Sequence, residues 1–145
     1  MNIERMVRTC IEMIPPYVPG KPIEEVEREL GLSGVTKMAS NENPLGPSKE
    51  VRQAITNVLD KVSYYPDANN YYLNKALKDE LGVKEDQIII GSGLDDVNRI
   101  LAETILMPDD EVVIPQPTFS MYVSVTLLMG AKPVLVKGSG LGNDL

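Results

Sequence analysis

The stretch QIIIGSGLDDVNRILAETILMPDDEVVIPQPTFSMYVSVTLLMGAKPVLV, residues 87–136, decides the fold class of this protein. Three short apolar runs in it predict strands at Gln87–Ile90, Glu111–Ile114 and Pro133–Val136. The segments between the runs have helical periodicity and predict helices over Asp95–Leu106 and Thr118–Met129. Such an alternation gives parallel strands joined by right-handed crossovers. The sequence therefore predicts an α/β fold.

The first half of the chain predicts four helices between turns rich in proline and glycine. Ser48 has the residue type of an N-cap, and Gly31 and Gly82 have that of helix stops. The prolines of 15–22 exclude helix and central strand there and predict an extended arm. The helices are expected over about Asn2–Met13, Ile23–Leu30, Val51–Leu59 and Tyr71–Leu81, and a short strand is expected at Val35–Ala39.

The bulk properties exclude several classes of function. The 145 residues suit one domain, and the net charge of −7 argues against nucleic acid as a partner. The chain has no histidine and one cysteine, Cys10, which removes Ser-His and Cys-His catalysis and an internal disulfide. No apolar run reaches the ~20 residues that span a bilayer, and residues 1–13 do not resemble a signal peptide. We therefore expect no membrane partner and a cytoplasmic location.

The turn Ile90–Asp96, with sequence IGSGLDD, joins a predicted buried strand to a helix. Two glycines allow close approach of a ligand, and the free N–H groups of the first helical turn favour an anion. The alternative is a plain βα turn in which Asp95 or Asp96 stabilises the start of the helix. Spacing alone favours this alternative.

Aromatic residues mark three further candidate segments. Thr118 is a candidate N-cap, and Phe119 and Tyr122 share a helix face, where one ring could stack on a planar ligand or both could pack in the core. For Phe119 we expect the core. Tyr65 could donate to a phosphate or be a surface tyrosine. Tyr17, in the proline-rich arm, could lie across a cleft or belong to a docked terminus.

Five motifs occur in a defined order, and together they resemble the N-terminal portion of histidinol-phosphate aminotransferases, which are fold-type I pyridoxal-phosphate enzymes. The motifs are PPYVPG (15–20), SNENPLGP (40–47), YPD (65–67), GSGLDD (91–96) and PQPTFSMY (115–122). The resemblance implies a three-layer, mostly parallel sheet. It also implies an N-terminal arm with helices over residues 1–34 and the first part of the large cofactor-binding domain over residues 35–145.

The resemblance implies roles for seven residues. The backbone of Gly93, Leu94 and Asp95 would hold the phosphate of pyridoxal phosphate, and Tyr122 would stack on its ring. Tyr65 would reach the cofactor phosphate of the other subunit in a homodimer. The substrate pocket would be lined by Tyr17 and Asn43.

The family reaction moves an amino group between histidinol phosphate and 2-oxoglutarate, so the implied partners are a phosphorylated amino compound and a 2-oxo acid. The cofactor carries the chemistry, and the protein orients and tunes it. Two alternatives remain open: a related pyridoxal-phosphate-dependent decarboxylase of a phosphorylated amino acid, and a non-catalytic folding fragment.

Three departures from the family pattern are visible. Leu94 stands where a small residue, often serine, is usual, so a hydroxyl to the phosphate is lost while backbone donors remain. Asp96 stands where glutamate is common. The Schiff-base lysine of the family comes later in its chains, so no catalytic residue is assigned here, and neither Lys132 nor Lys137 is proposed.

Strands that the family inserts between the first predicted strand and the other two also come later. We therefore expect the three strands either to pair directly or to be buried in an oligomer.

Overall fold

A parallel strand pair joined by one helical crossover lies at the centre of the fold. The computed structural model describes residues 6–139 and 142–143. In it, strand β1 (Glu111–Gln116) pairs in parallel with β2 (Lys132–Ser139), and Ile114 lies opposite Leu135. Strand β3 (Gly142–Asn143) adds antiparallel to the end of β2. The valines and isoleucine of β1 and the valines and leucine of β2 explain why these two runs form strands.

Two helices pack beside this sheet. Helix α4 (Leu94–Ile105) contacts α5 (Ser120–Leu128), and α5 also contacts both long strands and the 3₁₀ helix Thr9–Met13. The Thr126 hydroxyl is buried and donates to the Tyr122 carbonyl at 2.7 Å, so its burial leaves no donor unpaired. The most buried residues are Cys10, Ala102, Ile114, Thr126 and Ala131.

The chain forms two compact units, Met1–Tyr17 with Asn74–Leu145, and Val18–Leu73. Within the second unit lie α1 (Ile23–Leu30) and α2 (Lys49–Val58), and α3 (Tyr71–Leu81) starts there. Local signals fix their ends. The Ser48 hydroxyl accepts from the Val51 N–H at 3.3 Å at the start of α2, and Gly31, at φ 65°, ends α1. The organisation into residues 1–34 and 35–145 stays a prediction.

The predicted α/β class and the parallel pairing are confirmed, but one predicted strand is wrong. Gln87 is the last residue of a 3₁₀ helix, Glu85–Gln87, and the next residue, Ile88, is extended at φ −113° and ψ 127°. Among residues 6–139 and 142–143 the segment has no strand partner, so the three predicted strands do not pair directly, and their burial in an oligomer stays a prediction. A strand needs a neighbouring strand to complete its backbone hydrogen bonds. The local sequence of a segment does not show whether such a neighbour is present.

Two other expectations were also wrong. In place of an α-helix over Asn2–Met13, the described part of that segment contains the 3₁₀ helix Thr9–Met13, because among residues 6–13 Cys10 alone is buried and short helices need packing to form. Residues 1–5 lie outside the described residues. Val35–Ala39 is irregular and leads into a turn in which Ser40 and Asn41 have positive φ. None of the described helices has the length and apolarity to cross a bilayer.

Candidate functional site

The turn before α4 has a backbone shape that only glycine adopts readily. Gly93 precedes the helix at φ 97° and ψ 179°, a region that is costly for residues with a Cβ atom. A Cβ built on Gly93 would meet nothing within 4 Å. The requirement for glycine at this position is therefore one of backbone conformation, with open space beside the turn.

The Asp96 carboxylate holds this turn from inside the helix. Its Oδ2 accepts the Ser92 N–H at 2.9 Å, and its Oδ1 lies 2.8 Å from Nη2 of Arg99. The Ser92 N–H and then the Arg99 guanidinium lower the pKa of Asp96, while Asp96 and Glu103 raise the pKa of Arg99. Of the two aspartates named as candidates for stabilising the helix start, Asp96 is the one that bonds to the turn, and the N-cap position itself, Gly93, has no side-chain capping bond.

The first N–H groups of α4 remain available as donors. The earliest intrahelical bond runs from the Val97 N–H to the Gly93 carbonyl at 3.2 Å. Within the described part of the chain, the N–H groups of Gly93, Leu94 and Asp95 have no acceptor. Free donors at the positive end of a helix dipole form an anion seat.

A groove of about 630 Å³ lies beside this turn and brings together two of the predicted site residues. Tyr17, from the arm, and Asp95, from the first turn of α4, both line it. Its apolar wall comes from the arm and from α5. The remaining lining residues are Ile11, Ile14, Pro15, Pro16, Ser92, Asp96, Asn98, Arg99, Met121, Ser124, Val125 and Leu128.

Tyr122 lines a second groove, of about 440 Å³, between α4, β1 and α5. Asn98 lines both grooves, and its Nδ2 atom is buried with no hydrogen-bond partner among the described residues. Sequence reasoning missed Asn98, because its position between two grooves depends on how the helices pack.

The phenylalanine next to Tyr122 was wrongly expected in the core. Phe119 is 43% exposed, and its ring meets that of Tyr122 edge to face, with centroids 6.4 Å apart. Phe119 also occupies the N-cap position of α5 with no side-chain capping bond, so Thr118 is not the cap. Helix α5 thus starts two residues later than its sequence pattern suggested.

The other two predicted residues, Tyr65 and Asn43, belong to the unit Val18–Leu73. Tyr65 is fully exposed. The Asn43 side chain accepts the Leu45 N–H at 3.0 Å, and its carbonyl accepts the Gly46 N–H at 3.2 Å, which closes a tight turn. Across the described residues, no group of three or more metal-ligating side chains occurs.

Comparison with known proteins shows the family. The family model "Aminotransferase class I and II" matches residues 33–144. The chain belongs to the class I and II aminotransferases. The predicted fold class is also confirmed by solved structures. A histidinol-phosphate aminotransferase from Sinorhizobium meliloti, in complex with pyridoxal-5'-phosphate, superposes with a TM-score of 0.81 at 24% identity, over 95% of this chain and 36% of that one. An aspartate aminotransferase from Thermotoga maritima gives a TM-score of 0.75 at 19% identity, over 92% and 38%.

Curated relatives within this aminotransferase family are closer in sequence. The histidinol-phosphate aminotransferase of Moorella thermoacetica is 50% identical over 138 residues, which are 95% of this chain and 36% of that protein. That of Caldicellulosiruptor saccharolyticus is 46% identical over 140 residues, 97% of this chain and 39% of that protein. The chain thus spans well under half the length of the curated relatives it matches.

Proposed function

We propose that this chain is the N-terminal part of a histidinol-phosphate aminotransferase and supplies half of its pyridoxal phosphate site. The observation that carries the proposal is the turn before α4, in which the N–H groups of Gly93, Leu94 and Asp95 have no acceptor among the described residues. The 50% identity to the Moorella thermoacetica enzyme supports the substrate class. The complete enzyme would move an amino group between histidinol phosphate and 2-oxoglutarate in the cytoplasm.

The turn suits the phosphate of this cofactor on physical grounds. The N–H groups of Gly93, Leu94 and Asp95 would donate to it, and Gly93 leaves the space beside them open. Loss of a serine hydroxyl at Leu94 removes one donor but none of the backbone donors. The Tyr122 ring, 37% exposed at the second groove, would form a flat contact for the pyridine ring. When bound, the cofactor serves as an electron sink for chemistry at the amino-bearing carbon.

The roles proposed for the remaining residues concern the substrate and a second subunit. Tyr17 lines the groove beside the turn, so its hydroxyl would hydrogen-bond the substrate there. Asn43 would line the substrate pocket from its closed turn. Fully exposed Tyr65 would reach the cofactor phosphate of the partner in a homodimer. An exposed tyrosine is a common interface residue, since its ring is apolar and its hydroxyl can donate.

The lysine that anchors the cofactor is proposed to correspond to the part of the longer relatives that this chain does not cover. Nζ of Lys132 lies 3.2 Å from Oδ1 of Asp109 in an ion pair at the start of β2, whereas the proposed phosphate donors belong to the turn before α4. We therefore assign no catalytic residue to residues 1–145.

The substrate is tested with the complete polypeptide. We expect transfer of the amino group from histidinol phosphate to 2-oxoglutarate, measured as glutamate formed. Release of carbon dioxide from threonine phosphate, without glutamate formation, would instead establish the related decarboxylase.

The cofactor seat is tested with the 145-residue chain itself. Pyridoxamine phosphate and pyridoxamine are suitable probes, because neither carries an aldehyde that would react with surface lysines. We expect tighter binding of the phosphorylated probe by calorimetry, and competition by inorganic phosphate. Equal affinities for the two probes would contradict the seat at α4 and favour a non-catalytic fragment.

A further inference from the structure

We infer that Asp96 is a positioning residue for the cofactor phosphate, because it holds the Gly91–Gly93 turn in the shape that leaves the donors of α4 free. The inference rests on the proposed cofactor role of this turn. Asp96 lines the groove beside the turn, but its inferred effect on the cofactor phosphate does not require contact with that phosphate. It acts through Ser92, whose N–H it accepts at 2.9 Å.

The bond between Asp96 and Ser92 ties the turn to the helix that follows it. Ser92 lies four residues before Asp96, so the carboxylate reaches back over the turn and fixes the peptide unit between Gly91 and Ser92. That peptide unit leads directly into Gly93. With it fixed, the N–H groups that follow Gly93 keep one direction, and preorganised donors bind an anion more tightly than donors that must be ordered.

Gly91 provides the room for this carboxylate. A Cβ atom on Gly91 would lie 2.9 Å from Oδ2 of Asp96 and 3.0 Å from Cγ2 of Val97. Glycine at position 91 is therefore favoured by the close approach of Asp96 and Val97, whereas glycine at position 93 is favoured by its backbone angles. The two glycines of the motif have different physical reasons, and only the first depends on Asp96.

Arg99 makes a carboxylate tolerable beside an anion seat. A lone negative charge near the seat would repel phosphate. Nη2 of Arg99 lies 2.8 Å from Oδ1 of Asp96, and Nη1 lies 3.0 Å from Oε1 of Glu103, so one guanidinium is shared by two carboxylates and offsets part of the charge of Asp96. Asp96 is ionised at neutral pH even at the ordinary aspartate pKa of 3.8, and the Ser92 N–H and Arg99 lower its pKa further.

The test compares variants by the ratio of their affinities for pyridoxamine phosphate and pyridoxamine. A purely structural loss would weaken both probes and leave the ratio unchanged. We expect Asp96→Ala to lower the ratio about tenfold, the effect of losing one charge-assisted hydrogen bond that orders the donors. Asp96→Asn keeps an oxygen acceptor for Ser92 and should stay within about threefold of the wild type. Glu103→Gln, which alters the same ion-pair network away from the turn, should keep the wild-type ratio.

A wild-type ratio in folded Asp96→Ala would overturn the inference. If Asp96→Ala does not fold, Gly91→Ala tests the same contact, because its Cβ displaces the carboxylate without removing it. The same loss is expected for that variant, and an unchanged ratio would again overturn the inference. A wild-type chain that binds both probes equally would instead defeat the proposed function. Failure of the inference alone leaves the wild-type preference intact.

Discussion

Replacement of Gly93 by alanine is the sharpest test of the turn before α4. Gly93 sits at φ 97° and ψ 179°. Its Cβ position has no atom within 4 Å, so alanine adds no clash with a neighbour. The whole effect of Gly93→Ala must therefore come from the backbone.

The magnitude follows from the conformation. Residues other than glycine pay about 1–3 kcal/mol in this region of backbone space. The turn is irregular and its donors are unpaired within the described residues, so it can relax by rotating the N–H groups of Leu94 and Asp95 away from the anion seat. If the strain is relieved in this way, affinity for the phosphorylated probe falls about 5- to 150-fold.

The assay is again the affinity ratio of pyridoxamine phosphate to pyridoxamine, with thermal unfolding measured in parallel. Gly31→Ala is the matched control. Gly31 also has positive φ, 65°, and open space at its Cβ position, but it ends α1. The control should lower stability by about 1 kcal/mol and leave the ratio unchanged.

Two results would refute this reasoning. A Gly93→Ala chain with wild-type stability and wild-type ratio would mean that the turn does not require glycine. An equal loss of affinity for both probes would mean that the substitution disturbs the grooves in general and not the phosphate donors.

Three further predictions concern stability. Ile114→Ala should lower the free energy of unfolding in urea by about 2–5 kcal/mol, because Ile114 is 3% exposed. Val113→Ala should lower it by less than about 1 kcal/mol, because Val113 is 56% exposed. Similar losses for the two variants would show that the face assignment of β1 is wrong. Ser48→Ala removes the cap of α2 and should cost about 1 kcal/mol, measured by amide exchange in that helix; unchanged exchange would argue against the cap. The N–H groups of Tyr71 and then Asn69 hold the pKa of Asp67 below its ordinary value of 3.8. The stabilisation of α3 by Asp67 is therefore complete well above pH 3.8, and it is lost as the pH falls through the lower pKa of the folded state. Asp67→Asn should remove this acid dependence of amide exchange in α3, and an identical acid dependence in both chains would exclude Asp67 as its source.

Signals within a few residues predicted much of the secondary structure. The bounds of α1 and α3 match the sequence pattern, because Gly31 and Gly82 both adopt positive φ and end those helices. Strands β1 and β2 were predicted from their apolar runs. Their apolar runs are joined by a short helical connection, and such a connection favours parallel pairing. The glycines of residues 91–93 also predicted a turn before α4, but their spacing alone favoured a plain βα turn over an anion seat.

The tertiary structure decided the properties that depend on contacts between residues distant in sequence. Gln87–Ile90 has a strand-like sequence but no neighbouring edge within the described residues, so it stays unpaired. Phe119 is exposed because helix α5 starts at Ser120, which no local cap marks. The grouping of Tyr17 with Asp95 in one groove depends on the arm packing beside α5. The sequence by itself thus determined the family motifs and the local turns. Packing determined which side chains share a groove, because burial and strand pairing depend on contacts that local sequence does not encode.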